Sequence, residues 1–244
     1  MSISKDVQVY VDDKWVGQET TNEHITVRKR DTIDFLKRLF RHKGAVIGSI
    51  IIVLFVLTAA LAPWLTRYSY DAPDVNAILQ SPRREHIFGT DEFGRDIFTR
   101  IAYGARISLQ VAFIAVSFSL MIGTILGALA GYYGGTIDYI ISAVTDIAWA
   151  FPTTLLAIAF IAALGTGLQN VIIAIALASW AGYCRVVRGQ FLSLKQREFI
   201  EAARILGMSD ARIIFKHILP NALTPVIVMA TLELPKALVI EASL

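Results

Sequence analysis

Residues 44–66, 107–137 and 147–184 contain no Asp, Glu, Lys or Arg, and no other feature restricts the fold of this chain so strongly. A bilayer core about 30 Å thick is crossed by roughly 20 apolar residues in a helix rising about 1.5 Å each, and only a helix or a closed barrel satisfies its backbone polar groups there. The runs are continuous rather than alternating, which predicts an all-α membrane protein. Composition agrees: 55% of the 244 residues are hydrophobic and 18% charged, against about 25% charged in soluble domains.

Five spans are expected. The first is residues 44–66, built on Ile50 to Leu57 and closed by Pro63-Trp64; mixed flanking charges and the lack of a small-residue cleavage site argue against a leader peptide. Within 107–137 the helix is placed at Leu109 to Ala130, ended by the Gly131-Tyr132-Tyr133-Gly134-Gly135 cluster. Tyr139 to Leu164 forms a third span, interrupted by Asp146 and kinked at Pro152. Gly165-Thr166-Gly167 supplies a turn into a fourth at Leu168 to Cys184, and a fifth begins at Ala222 and runs to Leu244.

Lys and Arg are retained on the cytoplasmic side of short loops. Arg28, Lys29, Arg30, Lys37, Arg38, Arg41 and Lys43 precede the first span, while Arg185, Arg188, Lys195, Arg197, Arg204, Arg212 and Lys216 follow the fourth. Alternation puts both groups on one side, so the N-terminus is expected inside. Residues 67–106 carry six basic and six acidic side chains and belong outside. Residues 1–43 read as a cytoplasmic tail, with an amphipathic helix at Asp31 to Lys43 suited to the anionic leaflet; 44–244 form the membrane domain.

The segment from Arg197 to Asn221 reads as two short helices with a sharp joint. Gly207 can adopt the left-handed conformation that ends a helix, Ser209 or Asp210 can cap the next, and Pro220 stops regular continuation. Phe199, Ile200, Ala203 and Leu206 form an apolar stripe beside polar Glu198, Glu201 and Arg204. This pattern of Glu201-Ala202-Ala203, three residues, Gly207, then Leu219-Pro220 resembles the EAA loop of binding-protein-dependent ABC importer permeases, with His217 a departure from it. The resemblance spans about residues 28–244. It implies that Glu201, Ala202, Ala203, Gly207, Leu219 and Pro220 couple the chain to an ATPase subunit, and that a sixth helix is expected beyond Leu244.

A second pattern precedes the second span. Gly89-Thr90-Asp91, then Gly94-Arg95-Asp96, then Gly104-Ala105-Arg106 and Ser108-Leu109 resemble the outer loop of the dipeptide, oligopeptide and nickel branch of those permeases. Gly89 and Gly94 suit tight turns, and Asp91 and Asp96 can pair with Arg95 or Arg100, bracing either a gating mouth or a purely structural loop.

None of the 16 glycines is followed by lysine, so the chain lacks the phosphate-cradling loop of a nucleotide-binding subunit. The family implies no cofactor on this chain, with ATP and Mg²⁺ held by two cytoplasmic ATPase partners. It further implies a second homologous permease, an extracytoplasmic solute-binding protein, the bacterial inner membrane and no nucleic acid. Asp146 is the candidate for the translocation path, since an ionised group at mid-bilayer costs at least about 2.5 kcal/mol; a structural ion partner is the competing reading. Gly123, Gly127 and Gly131 share one helix face and allow close helix approach, and Glu233 and Lys236 can neutralise each other. A stand-alone channel or proton-coupled carrier using Asp146, Glu233 and Glu241 is the rival function. Hydrolase motifs such as HExxH and GxSxG are missing from the sequence.

Overall fold

The computed structural model describes residues 40–244. Residues 1–39 of the expected tail lie outside those residues, and with them all but the last four residues of the expected surface helix. The chain divides into two units, 1–57 and 58–244, described separately. Helix α1 (Lys43–Leu65) contributes to the first unit an apolar rod from Ile50 to Leu57 whose side chains are exposed almost throughout.

The second unit contains α2 (Ile97–Tyr133), α3 (Gly135–Trp149), α4 (Thr153–Leu164), α5 (Leu168–Lys195), α6 (Glu198–Ile205), a single turn α7 (Asp210–Arg212) and α8 (Leu219–Ser243). Among the described residues there is no strand, only an isolated bridge between Thr90 and Asp96. Four helical stretches are long and apolar enough to cross a membrane, and a fifth arises if α3 and α4 count as one.

Several boundaries differ from expectation. Helix α2 starts at Ile97 rather than Leu109, because the Asp96 carboxylate accepts the Thr99 backbone N–H at 2.8 Å and caps it there. Its 37 residues make it about 55 Å long, well beyond the hydrocarbon core. Helix α5 continues past Cys184 to Lys195 because Val187 and Phe191 remain fully buried one and two turns further on. Arg185 and Arg188 thus stand on a helix rather than in a loop. The third span is not a kinked helix but two helices meeting at 92°. Pro152 itself leaves helical geometry, with ψ at 129°, and its ring disfavours a helical Phe151, so the ladder stops and restarts.

The core of this unit is the α2–α5 seam. Gly123 faces Tyr183, Gly127 faces Cys184 and Val187, and Gly131 faces Arg188 and Phe191. Because both sets of numbers rise together, the two helices run parallel. The chain between them must therefore return across the full thickness, which makes α3 and α4 together one crossing rather than a re-entrant loop. At the other end of α2, Ser108 Oγ donates to Glu241 at 2.9 Å, so α8 runs back antiparallel. The Gly89–Asp96 motif thus sits at the α2 start, and the 196–218 elbow at the Tyr132 end, a helix length away.

Candidate functional site

The elbow begins with α6, whose exit is built by hydrogen bonding. Gly207 has φ +73°, its N–H donates to Arg204 O at 2.9 Å, and the Met208 N–H reaches back to Ala203 O at 3.1 Å. This pair of bonds is a Schellman motif, which satisfies the last carbonyls and turns the chain sharply. The half-buried Met208 side chain packs on the core that includes Ala203. Gly207 is where the sequence reading placed it. Ser209 stands at the start of α7, but its side chain makes no capping bond.

The expected apolar stripe is divided. Ile200 and Ala203 are buried in the same core as Val187, Phe191, Ile213 and Ile218, whereas Phe199 and Leu206 are exposed. An eight-residue helix ending in a left-handed turn presents only about two side chains to its support, so the flanking ones are left over. Glu201 and Ala202 are exposed, and Ile205 and Leu206 are 83% and 75% accessible, which gives the elbow an acidic and apolar outer surface. Pro220 does not end the helix as expected. A π-helical turn, Ile213–Ile218, precedes it, with the Leu219 N–H on Ile214 O, and Pro220 occupies the first turn of α8. Proline has no N–H to lose there, and the widened turn before it relieves the ring's clash with the preceding carbonyls. Leu219 is half-buried against the core.

Tyr132 was not singled out from the sequence beyond its place in a glycine cluster, yet it ties this end together. Its hydroxyl donates to Asp210 Oδ1 at 2.6 Å, and its carbonyl accepts from Lys195 Nζ at 2.5 Å. The nearest sequence signal was an aromatic pair at a helix end beside basic residues, which is too common to stand out.

Inside the membrane-spanning part, Asp146 accepts from Arg185 Nη2 at 2.6 Å, and the same guanidinium lies 3.8 Å over the Trp149 ring. Asp138 pairs with Arg188 through both carboxylate oxygens, Nη2 to Oδ2 being 2.7 Å. The Asp146 side chain is 66% accessible. With Ser142, Thr145, Cys184, Arg185 and Arg188 it lines a hollow of about 300 Å³. Asp146 therefore has the ion partner of the competing reading, and it also faces a polar recess. Glu233 and Lys236 pair at 2.7 Å as expected, and Glu241 is held by Ser108.

At the opposite end, Gly89 and Gly94 have φ of +76° and +74°; a Cβ at Gly94 would collide with the Asp74 carbonyl. Asp91 accepts from Arg95 Nε at 2.8 Å, Arg100 Nη1 at 2.6 Å and the N–H groups of Phe93 and Arg95. Asp96, however, pairs with His86 at 3.0 Å and with Thr99, not with an arginine, because its capping position turns it away from Arg100. The Thr90 hydroxyl donates to the Ala77 carbonyl and accepts the Gln80 N–H. Desolvation pushes both carboxyls up, but hydrogen bonds outweigh it: Asp96 ends below the usual range and Asp91 is held at about 2 against an ordinary 3.8. Since the folded value is the lower one, the Asp91 contribution to the loop is complete above about pH 4 and is lost as the pH falls toward 2. Pepsin cleavage of the loop in the purified protein, normalised to an unfolded substrate, should therefore stay low from pH 5 to 4 and rise below it. Asp91→Asn should be cleaved throughout, and equal protection of the two proteins at pH 5 would refute the assignment.

Residues 123–244 match the model of the binding-protein-dependent transport system inner membrane component, and residues 32–82 match the N-terminal transmembrane domain of oligopeptide transport permease C. The chain belongs to this permease family. It is 53% identical over 85% of its length, and 68% of the other's, to the dipeptide transport system permease protein DppC of Alkalihalophilus pseudofirmus. It is 41% identical to the oligopeptide transport system permease protein OppC of Bacillus subtilis over 86% of this chain and 69% of that one. A partial structural likeness, TM-score 0.49 at 24% identity over 56% of this chain and 69% of the other, is to an inward-facing MetNI methionine ABC transporter. This permease is thus an integral, multi-pass membrane protein related to peptide ABC transport permeases.

Proposed function

We propose that this permease forms half of the translocation path of an ATP-driven importer of dipeptides, oligopeptides or similar small solutes in a bacterial cytoplasmic membrane. A second homologous permease supplies the other half, two cytoplasmic ATPases hold ATP and Mg²⁺, and an extracytoplasmic solute-binding protein delivers cargo. This chain binds no cofactor of its own. The observation that carries the reading is the elbow. Glu201, Ala202, Ile205 and Leu206 face outward from a short helix that Ile200 and Ala203 seat on the core. A large exposed apolar pair on a stiff support is what a partner groove requires.

The elbow end is also where Lys195, Arg197, Arg204, Arg212 and Lys216 gather, which favours the cytoplasmic side. Closure of the ATPases on ATP would draw two elbows together and rock the helices between inward-open and outward-open states. Glu201, Ala202, Ala203, Gly207, Leu219 and Pro220 are assigned to this coupling: the first two as contact, Ala203 and Leu219 as seat, Gly207 as joint, and Pro220 as the fixed start of α8. Gly89, Thr90, Asp91, Gly94, Arg95 and Asp96 are assigned to bracing the outer mouth. The recess at Asp146 is assigned to the wall of the path, where Arg185 neutralises a carboxylate that lipid would not tolerate.

The test is uptake by the assembled complex in proteoliposomes with its binding protein. Labelled dipeptide should accumulate only with ATP and be indifferent to a protonophore. Uptake by the permease without ATPases, or uptake that collapses with the proton gradient, would favour the stand-alone carrier instead.

A further inference from the structure

We propose that Tyr132 is a positioning residue, a strut that carries displacement of the elbow into the helix bundle. This rests on the coupling role proposed above and extends it to a residue outside the EAA pattern. Tyr132 occupies the last turn of α2 and is buried. Three elements converge on it. Asp210, opening the second half of the elbow, receives its hydroxyl at 2.6 Å. Lys195, ending α5, donates to its carbonyl at 2.5 Å. The Arg204 guanidinium on α6 and the Lys195 ammonium each lie 5.7 Å from its ring centroid. One residue of α2 therefore touches both halves of the elbow, on either side of the Gly207 joint, as well as the helix that leads into it.

The remaining connections of the elbow differ in kind. Ile200, Ala203, Ile213 and Ile218 are apolar contacts, which are non-directional and permit sliding. A short hydrogen bond to a carboxylate has a fixed direction and length. When the elbow moves, the seat can slip, but the Asp210–Tyr132 bond must pull the end of α2 with it or break. Helix α2 is locked in turn to α5 through the Gly123, Gly127 and Gly131 contacts, so a pull at Tyr132 reaches both long parallel helices. The charged hydrogen bond is stronger than either distant ring contact, so Tyr132→Phe removes the main link and keeps the ring.

The experiment uses the assembled complex with its binding protein in proteoliposomes, and reads basal ATPase, ATPase stimulated by loaded binding protein, and peptide transported per ATP. Tyr132→Phe should assemble and keep basal ATPase within about twofold, while peptide per ATP falls at least about tenfold, the scale of one lost charge-assisted bond. Asp210→Asn, at an exposed position, weakens the same bond from the other side and should give the same defect, with the double variant no worse than either single one. Should Tyr132→Phe fail to assemble, the Asp210→Asn ratio decides. Gly207→Val is the reference arm. If it uncouples while Tyr132→Phe and Asp210→Asn keep a normal ratio, the strut is overturned and the coupling reading stands; if all three keep a normal ratio, both fall.

Discussion

Gly207→Val in the assembled transporter should reduce ATP-dependent uptake at least about tenfold while the subunits stay together, because the strain of a β-branched residue at φ > 0 falls on the joint and not on the core. Gly207 is exposed, and a Cβ there would meet nothing within 4 Å, so steric crowding is not the cause. The cause is backbone conformation: at φ +73° valine is disfavoured by about 1–3 kcal/mol. A helical or extended residue 207 would break the Gly207 and Met208 hydrogen bonds and redirect α7. Against a domain stability of about 5–15 kcal/mol the fold survives, but the outer surface at Glu201 and Leu206 is misaimed. Gly207→Asn, which tolerates left-handed geometry, should retain most activity. Uptake and stimulated ATPase in proteoliposomes check the pair, and a valine variant at wild-type rate would refute the coupling role.

Gly127→Leu should prevent a stable complex from forming. Even the first added carbon would sit 2.5 Å from the Cys184 carbonyl oxygen and 3.0 Å from the Arg188 nitrogen. Both are backbone atoms of α5 that cannot rotate aside, so the helices must separate. Overpacking of this kind typically costs about 1–3 kcal/mol, and here the displacement also strains the Asp138–Arg188 pair one layer away. The expected result is a lowered thermal midpoint for Gly127→Ala and loss of the monodisperse chromatographic peak for Gly127→Leu. Gly104 on the same helix has open space around it, so Gly104→Ala should stay within about 1 kcal/mol of wild type. Equal behaviour at the two positions would refute the close approach.

The contrast between these glycines bears on what could be read in advance. The four-residue spacing of Gly123, Gly127 and Gly131 announced a close contact, but not with which helix or in which direction. The break at Pro152 was visible as a proline; that it produces a 92° turn rather than a kink depends on the backbone of a single residue leaving the helical region. Likewise hydropathy placed the helix start at Leu109, because Arg100 and Arg106 interrupt the uncharged run upstream, whereas the Asp96 cap sets the start at Ile97.

The approximate number and position of the spans, the elbow and its glycine joint were legible in the chain alone, since hydrocarbon excludes charge and unpaired backbone wherever they occur and a left-handed turn favours one residue type; the lengths were not, because α2 and α5 run on past the uncharged residues. These are local demands. Which polar groups meet was decided only in three dimensions: Asp146 with Arg185, Asp138 with Arg188, Asp96 with His86, and Tyr132 with Asp210. Such pairings depend on how separate helices and loops are rotated and aligned against one another, and packing sets that through shape that no sequence period records.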